Sequence, residues 1–347
     1  EGRTSLTNRI VNAIKAIIAY PDEQKGWRPF ALRVGHDLLK GERFDALLSS
    51  SGPVTCHLIA RELKARYGLP WIADFRDLWT QNHYYPYGPL RLMFERKLEV
   101  KTLSSADALV TISKPLAEKL QSLHRSKPVF AIPNGYDPDE MGSVTPTREF
   151  TITYTGQFYQ GRRDPSLLFQ ALVDLLSEGK LNRCDVRVRF YGPVEYWLEQ
   201  EVKLYQLEDI IILHPFAPRE DALMRQRESQ ILLLLKWDHP EEAGVYTGKV
   251  FEYLAAQRPI LAIGGPKGVV AELLEETGAG VHVSSYEELK RVLAQLYDEY
   301  KSYGQVLYHG NKERISRYSH REMARKFAAV LGSVVEKKLT GLAIGDL

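Results

Sequence analysis

The sequence predicts an α/β protein with two doubly wound parallel-sheet domains. Its 347 residues exceed what one hydrophobic core usually organises. From Phe44 onward, short β-rich runs alternate with longer amphipathic stretches, which is typical of strand–helix units. Residues 133–148 are rich in proline, glycine and small polar residues, and they interrupt this alternation as a domain linker does.

The composition indicates a globular protein. Hydrophobic residues make up 44% of the chain and charged residues 26%, which is unlike a disordered sequence. The net charge of +2 is too small to indicate a broad nucleic-acid-binding surface, so we predict no nucleic-acid partner. Two cysteines, Cys56 and Cys184, cannot form a disulfide framework. Because no export signal or membrane-spanning run is recognisable either, we expect a cytoplasmic protein.

One apolar segment near the start of the chain has two interpretations. Residues 10–19 are mostly apolar, relieved by Asn12 and Lys15. Burial of this helix in the core is the main interpretation. Peripheral contact with a membrane is the alternative, and it would place the protein at the inner membrane face.

The first domain is predicted to lack its early strands. A helix-rich opening precedes four predicted strands and two predicted helices, the first of which is closed by Gly68. The predicted strands are 44–49, 70–74, 108–113 and 129–132, and the helices are 54–67 and 90–103.

The second domain is predicted to be complete, with six strands. Asp164 and Pro165 fit the N-cap and first turn of a helix that ends near Leu176. We expect domains at 1–145 and 146–317, with the carboxy-terminal helix and tail, 318–347, packing back on the first domain. The predicted strands are 151–156, 185–191, 210–214, 230–235, 259–263 and 280–283.

Two segments of the second domain suit a nucleotide, because ligands of open parallel sheets gather at the carboxyl ends of the strands. Residues 155–165 (TGQFYQGRRDP) offer two glycines for close backbone approach and two guanidinium groups for a phosphate. An ordinary turn with solvated arginines is the alternative interpretation of this loop.

The second segment, residues 244–254 (GVYTGKVFEYL), follows a buried strand and enters a helix. Thr247, Gly248 and Lys249 can direct backbone amides, a hydroxyl and an ammonium at a phosphate. Glu252, one turn later, can accept two hydrogen bonds from a ribose diol. A solvated helix carboxylate is the alternative for Glu252.

Taken in order, these segments resemble GT-B glycosyltransferases of the large retaining family 4, which use nucleotide-diphosphate sugars. Residues 70–79 (PWIADFRDLW) resemble one bacterial branch of the family, with a DFRD-x-W segment. The resemblance covers most of the chain and implies two Rossmann-like domains facing a cleft. Three further segments are similar to the family: 106–113 (ADALVTIS), 132–137 (IPNGYD) and 252–260 (EYLAAQRPI).

The resemblance implies roles for single residues of the donor site. Gly156 matches the glycine of the family's phosphate loop, but Gln157 stands where an arginine is usual. Arg162 falls where the family has a diphosphate-binding lysine. The first glutamate of the family's paired motif falls at Gly244, and Glu252 matches the second, which is expected on the ribose.

In the first domain, the resemblance implies that Arg76 and Asp77 lie near the reacting sugar, so both are catalytic candidates. A helix cap is the alternative for Asp77. Aromatic residues follow in the same loop, and they predict either stacking on a sugar or plain surface packing. They are Trp79, His83, Tyr84, Tyr85 and Tyr87.

We predict no metal and no cofactor. The nine histidines include no pair at zinc-ligand spacing with nearby cysteines. Asp137 and Asp139 match a metal-binding pattern, but their place in the linker favours a turn or a cap. Residues 264–268 (GGPKG) lack the dinucleotide fingerprint and are expected to form a strand-to-helix turn, which disfavours a nicotinamide dehydrogenase.

The resemblance implies that the protein moves a sugar from a UDP, GDP or dTDP sugar to an acceptor, in polysaccharide or glycoconjugate biosynthesis. The acceptor class stays open between a glycan, a lipid-linked molecule and a small molecule, and the oligomeric state is open too. One alternative is a nucleotide-sugar epimerase of the same fold. Another is a non-catalytic nucleotide-sugar-binding protein, because Gln157 and Gly244 replace groups that the family uses.

Overall fold

The computed structural model describes residues 19–140, 144–159 and 161–340. The apolar segment 10–19 therefore lies outside the described residues, except for Ala19. The described chain forms two units, one made of 19–133 with 324–340 and the other of 134–323.

The first unit contains a parallel four-stranded sheet in the order β1-β2-β3-β4. All four predicted strands are confirmed, with limits that differ by a few residues. Gly68 ends the second helix in a left-handed conformation, as predicted. The strands are β1 (Leu47–Ser51), β2 (Trp71–Phe75), β3 (Ala108–Thr111) and β4 (Val129–Ala131), and the helices are α1 (Arg28–Gly41), α2 (Thr55–Tyr67), α3 (Pro89–Leu103) and α4 (Lys114–Leu123).

A buried polar network joins β1, α2 and β2 in the core of this unit. Ser49 Oγ lies 2.7 Å from His57 Nδ1 and accepts a hydrogen bond from Trp71 Nε1 at 2.8 Å. Burial lowers the pKa of His57 to about 3, so the imidazole is neutral and holds the serine hydroxyl without an extra buried charge.

The second unit contains a parallel six-stranded sheet in the order β10-β9-β8-β5-β6-β7. All six predicted strands are confirmed. They are β5 (Phe150–Thr155), β6 (Val186–Tyr191), β7 (Ile211–His214), β8 (Ile231–Leu235), β9 (Ile260–Ile263) and β10 (Gly280–Val283). The helices are α5 (Ser166–Ser177), α6 (Tyr196–Leu204), α7 (Arg219–Glu228), α8 (Gly248–Ala256), α9 (Val269–Thr277), α10 (Tyr286–Tyr303) and α11 (Lys312–Ser316). The last helix, α12 (His320–Thr340), begins in this unit, and its residues from 324 onward belong to the first unit.

The start of α5 differs slightly from the prediction. Pro165, not Asp164, holds the N-cap position, because its ψ of 1° is not helical and the helix begins at Ser166. Asp164 still accepts a hydrogen bond from the Ser166 amide at 2.8 Å. Residues 264–268 form the predicted turn between β9 and α9, where Gly264 and Gly265 have positive φ.

The linker is fixed by local contacts. Asp137 Oδ1 accepts a hydrogen bond from the Asp139 amide at 2.9 Å, beside the short 3-10 helix Pro138–Glu140, so the predicted turn is confirmed. Gly135 lies against the backbone before α12, and a Cβ at this position would approach the Tyr318 carbonyl oxygen to 2.8 Å. Only glycine allows this approach.

Candidate nucleotide-binding site

The second sheet opens between β5 and β8. The chain adds β6 and β7 on one side of β5 and then returns to add β8, β9 and β10 on the other, so the strand order reverses between β5 and β8. In doubly wound sheets, ligands bind at the carboxyl end of such a reversal. The strand order therefore predicts a ligand site at the loops that follow β5 and β8.

The pairing of the strands shows how this opening forms. The β5–β8 pairing is limited to Ile152 with Ile231 and Thr153 with Leu232. The amide of Thr155 instead donates to the Tyr253 hydroxyl at 3.3 Å. β5 and β8 each remain paired with their other neighbour up to their last residues. The two central strands therefore part at their carboxyl ends, and a side chain of α8 enters the gap.

Two glycines bring backbone segments together at this edge. Gly156 follows β5 with a φ of 128°, and Gly192 follows β6. A Cβ at Gly192 would lie 2.2 Å from the Gly156 carbonyl oxygen. Gly156 also donates its amide to the Tyr191 carbonyl at 2.7 Å. Gly156 thus allows a close approach of backbone to backbone, with Gly192 as a partner that the sequence motifs did not indicate, and its approach to a phosphate stays a prediction.

Lys249 occupies the space beside Gly156. A Cβ at Gly156 would lie 2.2 Å from Lys249 Cε and 2.6 Å from Nζ. The ammonium lies 5.0 Å from the centre of the Tyr154 ring and donates to its hydroxyl at 3.4 Å. Burial, and then the charge of Arg163, lower the pKa of Lys249 to about 7, while Glu252 opposes the shift. A bound anion would therefore stabilise the protonated form of Lys249.

The two arginines of the loop after β5 have different surroundings. Arg162 is exposed, and its guanidinium lies 4.8 Å from the centre of the Trp237 ring. Arg163 is half-buried, with Nη1 3.5 Å from the Leu235 carbonyl oxygen at the end of β8. Arg163 is therefore a second cation of the site. Sequence reasoning noted the two guanidinium groups of this loop but assigned the phosphate role to Arg162.

Phe158 anchors the same loop in the core. Its ring is buried, and its centre lies 5.0 Å from that of Tyr154 and 5.4 Å from that of Phe190. The Gln157 side chain is exposed, whereas its carbonyl accepts a hydrogen bond from the Tyr154 hydroxyl at 2.7 Å. The backbone of the loop is therefore fixed while the Gln157 side chain faces solvent.

The start of α8 offers donors for an anion. Thr247 holds the N-cap position but makes no side-chain cap hydrogen bond. Its Oγ1 is buried and has no hydrogen-bond partner within the described chain. Gly248 follows, and a Cβ there would meet nothing within 4 Å. Since the first amides of an α-helix have no partner inside the helix, this end has both free donors and a favourable dipole.

Glu252 lies between two cavities. Its carboxylate accepts hydrogen bonds from Arg219 Nη1 at 2.9 Å and from Gln226 Nε2 at 3.4 Å. A cavity of about 290 Å³ on one side is also lined by Gly156 and Lys249. A cavity of about 300 Å³ on the other side is lined by Gly248 as well. The predicted residues Gly156, Lys249 and Glu252 therefore share one cavity.

Aromatic side chains line the first of these cavities. Phe216, which follows β7, is 79% exposed. Tyr191 also lines the cavity, and its ring stacks on His214 at 4.3 Å with an interplanar angle of 4°. The sequence motifs did not indicate these residues. In the sequence, only their positions could have indicated them, because each one ends or follows a predicted strand.

The catalytic candidates lie in the first unit, just after β2. Arg76 Nε donates to the buried Asp74 carboxylate at 3.0 Å, and Arg76 Nη1 donates to the Ile132 carbonyl at 3.1 Å. Asp77 is exposed, yet the protein around its carboxyl desolvates it and raises its pKa, while His83 and Arg76 oppose this. The alternative of a helix cap for Asp77 is wrong, because Gly88 is the N-cap of α3.

The aromatic loop is held mainly by packing. Trp79 is buried, and its Nε1 donates to Glu95 at 2.9 Å. The guanidinium of Arg91 lies 3.3 Å from the centre of the Tyr87 ring. For Trp79, the stacking alternative is therefore wrong, since the ring is buried. Tyr87 is half-buried, and for it both interpretations stay open.

No group of three or more His, Cys, Asp or Glu side chains arranged to hold a metal ion occurs in residues 19–140, 144–159 or 161–340. Among the helices of these ranges, none combines the length and apolarity needed to cross a bilayer.

Comparisons with known proteins support the predicted fold. HepE from Anabaena, in a crystal structure with UDP, superposes with a TM-score of 0.68 at 13% identity, covering 88% of this chain and 82% of HepE. Sucrose-phosphate synthase from Thermosynechococcus elongatus gives 0.66 at 14% identity, covering 90% and 79%. An α,α-trehalose-phosphate synthase (UDP-forming) from Burkholderia vietnamiensis gives 0.63 at 14% identity, covering 91% and 78%.

The sequence comparisons are more limited. A search of curated protein sequences finds no match to this chain. Residues 2–140 match the model of Glycosyltransferase Family 4. The predicted fold class is therefore confirmed, because the chain has the fold of GT-B glycosyltransferases. The predicted resemblance to family 4 is confirmed for residues 2–140, while the bacterial branch with the DFRD-x-W segment stays a prediction.

Proposed function

We propose that this protein transfers a sugar from a nucleoside-diphosphate sugar to an acceptor, with retention of the anomeric configuration. The observation that carries this proposal is the half-buried ammonium of Lys249 against the backbone of Gly156, where β5 and β8 part. A cation held in this way is costly unless an anion joins it. A diphosphate at the switch point of the sheet provides that anion.

The diphosphate would lie between the loop after β5 and the start of α8. Lys249 and Arg163 supply positive charge, and the buried hydroxyl of Thr247 supplies a donor that lacks a partner in the described chain. The amides at Gly248 and Lys249 add the favourable end of the helix dipole. Arg162 is exposed beside Trp237, and we propose that it contacts the outer phosphate.

The nucleoside would occupy the cavity shared by Lys249 and Glu252. Arg219 and Gln226 hold the Glu252 carboxylate while leaving acceptor sites for the ribose hydroxyls. Exposed Phe216 offers a face on which a base can stack. Because HepE was crystallised with UDP, UDP sugars are the first donors to test, ahead of GDP and dTDP sugars.

The difficult step is the departure of the diphosphate while positive charge develops on the sugar. The bond between the anomeric carbon and the phosphate oxygen breaks, and a bond to the acceptor hydroxyl oxygen forms. Lys249, Arg163 and the start of α8 stabilise the leaving diphosphate electrostatically. We assign removal of the acceptor proton to Asp77, whose pKa is raised, and we assign Arg76 to holding this segment through Asp74.

The same cations support a proposal about metals. Lys249 and Arg163 together offset the charge that a divalent ion would otherwise neutralise. We therefore propose that transfer needs no metal and that EDTA leaves turnover unchanged.

The free thiols of Cys56 and Cys184 fit a reducing compartment, and we propose the cytoplasm as the location.

A thermal-shift screen of UDP, GDP, ADP and dTDP sugars tests the donor class. One donor should raise Tm in the wild type by mass action, and Lys249→Met should abolish the shift. Lys301→Met, at a surface lysine paired with Asp185, is the matched control and should keep it. The proposal fails if none of the donors shifts the wild-type Tm.

Product analysis with the stabilising donor separates the alternative functions. A glycosyltransferase should release the nucleoside diphosphate slowly by hydrolysis when no acceptor is present. An epimerised donor would identify an epimerase instead. Stabilisation without any turnover would identify a binding protein, and a panel of glycan, lipid-linked and small acceptors should accelerate release if transfer is correct.

A further inference from the structure

Helix α3 exposes several large apolar side chains, although both of its glutamates are buried. Four large apolar side chains are exposed: Leu90 is 68% exposed, Met93 46%, Phe94 51% and Val100 40%. With Lys97 and Lys101, they follow the spacing of three and four residues that forms one stripe along a helix. In a helix of a globular protein, such an apolar stripe normally faces the core.

The acidic residues of α3 are buried instead. Glu95 accepts a hydrogen bond from Trp79 Nε1 at 2.9 Å and pairs with Arg91 Nε at 2.5 Å. Glu99 accepts a hydrogen bond from the Thr80 amide at 3.1 Å. Because breaking buried charge pairs is strongly destabilising, these contacts fix the rotation of the helix. The apolar stripe is therefore turned outward by the packing of the opposite face.

The outer face of α3 is consequently apolar and basic. Since both glutamates of the helix are buried, its exposed residues include no acid. The outer face consists of Pro89, Leu90, Met93, Phe94, Arg96, Lys97, Val100 and Lys101. This combination is what an anionic lipid surface recognises, because the apolar side chains enter the headgroup region while the cations meet the lipid phosphates.

Residues 19–21, at the start of the described chain, contact α3. Arg91 Nη2 donates to the carbonyl oxygens of Ala19 at 3.1 Å and of Pro21 at 2.9 Å, and the Tyr20 hydroxyl donates to the Phe94 carbonyl at 3.4 Å. The sequence 2–18, which leads to this point, contains three basic residues and no acidic one. With Glu1 included, this stretch still has a net positive charge, which is the same sign as the charges of Lys97 and Lys101.

We propose that the outer face of α3 docks on an anionic lipid bilayer. The sign of the charge distinguishes the partners that could cover this face of α3. A second copy in a two-fold contact would set Lys97 and Lys101 against the same residues of the partner. Residues 2–18 are also basic, so neither occupant neutralises the face, whereas acidic lipid headgroups do. The proposal rests on α3 alone and stands independently of the nucleotide site.

Sedimentation of the full chain with lipid vesicles tests the proposal. We expect binding to vesicles of equal parts phosphatidylcholine and phosphatidylglycerol, weakening as salt is raised, and little binding to phosphatidylcholine alone. Leu90→Ser/Phe94→Ser and, separately, Lys97→Gln/Lys101→Gln should each lower the affinity by about tenfold or more. Tyr196→Ser/Leu204→Ser, which changes exposed residues of α6, is the matched control and should bind as the wild type does.

Several results would overturn the proposal. Equal binding to both vesicle types would show that anionic headgroups are not what the face recognises, and no binding to the anionic vesicles would remove the lipid surface as the occupant. A clear loss of Tm in Leu90→Ser/Phe94→Ser would show that the folded protein covers this face itself. A dimer that sedimentation velocity detects in the wild type and not in that variant would identify a second copy as the occupant.

Discussion

The ammonium of Lys249 lies so close to Gly156 that a single methyl group at position 156 would overlap it, with 2.2 Å to Cε and 2.6 Å to Nζ. The two residues come from different strand-to-helix connections, one after β5 and the other at the start of α8. Their contact therefore joins the two predicted phosphate-binding segments into one site.

Replacing Gly156 by alanine should have different consequences from replacing Gly248 by alanine. Gly156→Ala should lower the free energy of unfolding by about 1–3 kcal/mol, because the backbone is strained for alanine at a φ of 128° and the Cβ meets Lys249. Gly248→Ala should leave stability nearly unchanged, since its Cβ meets nothing within 4 Å, yet weaken nucleotide binding. Urea unfolding and calorimetry measure the two effects. Equal stability losses would contradict this assignment.

Lys249→Met should stabilise the protein while removing nucleotide binding. Burial lowers the pKa of Lys249 to about 7, below the value near 10.5 in the unfolded chain. Between these pH values the unfolded chain keeps a proton that the folded chain releases, so wild-type stability rises with pH. We expect a gain of about 2 kcal/mol for Lys249→Met below pH 7, shrinking towards pH 10. Urea unfolding at several pH values checks it, and a pH-independent difference would refute it.

Nucleoside-diphosphate binding should take up a proton above pH 7. The free protein loses the Lys249 proton in this range, and the bound anion restores it by favouring the ammonium. The affinity should therefore fall as pH rises from 7 to 9. Calorimetry in two buffers with different ionisation enthalpies measures the proton uptake directly. The uptake should vanish in Lys249→Met, and its persistence there would point to another group.

Glu252→Ala should weaken nucleotide binding by about 1.5–3 kcal/mol, the scale of hydrogen bonds to a charged group. Part of the loss will come from Arg219, which loses its carboxylate partner. Glu252→Gln keeps the shape and one acceptor, so it should lose less. Unchanged calorimetric affinity in Glu252→Ala would exclude a ribose contact.

Arg162→Ala should lower turnover with little change in Tm. Arg162 is exposed beside Trp237, so its removal leaves the core intact. Arg163→Ala should lower both turnover and Tm, because the half-buried Arg163 reaches the Leu235 carbonyl. Steady-state kinetics and thermal unfolding of both variants make the comparison. A drop in Tm for Arg162→Ala that matches its loss of activity would indicate a structural arginine.

The strands were predictable because continuous β-rich runs separated by helices leave few alternatives in a parallel sheet. That the two candidate phosphate segments meet at one cavity was predictable, because glycine, lysine and threonine cluster after strand ends. The contact of Arg163 with the Leu235 carbonyl could not be predicted, because it depends on the folded path of the loop, in which Tyr159 and Gly161 have positive φ.

The orientation of helix α3 is another feature that sequence periodicity does not predict. The spacing of Leu90, Met93 and Phe94 alone would turn that face inward. Burial of Glu95 and Glu99 reverses it, and their partners Trp79 and Thr80 lie in a loop outside the helix. Such a reversal depends on tertiary contacts, which the local pattern does not contain.

The gap between β5 and β8 has a consequence for recognition. Its walls are strand ends and the first turn of a helix, and the Tyr253 hydroxyl and Gln226 amide hold Thr155 in place from within the fold. The entropy of arranging these groups is thus lost when the chain folds, not when a nucleotide arrives. If the proposed function is correct, such preorganisation would make the pocket selective by shape, and a nucleoside of the wrong size would bind weakly.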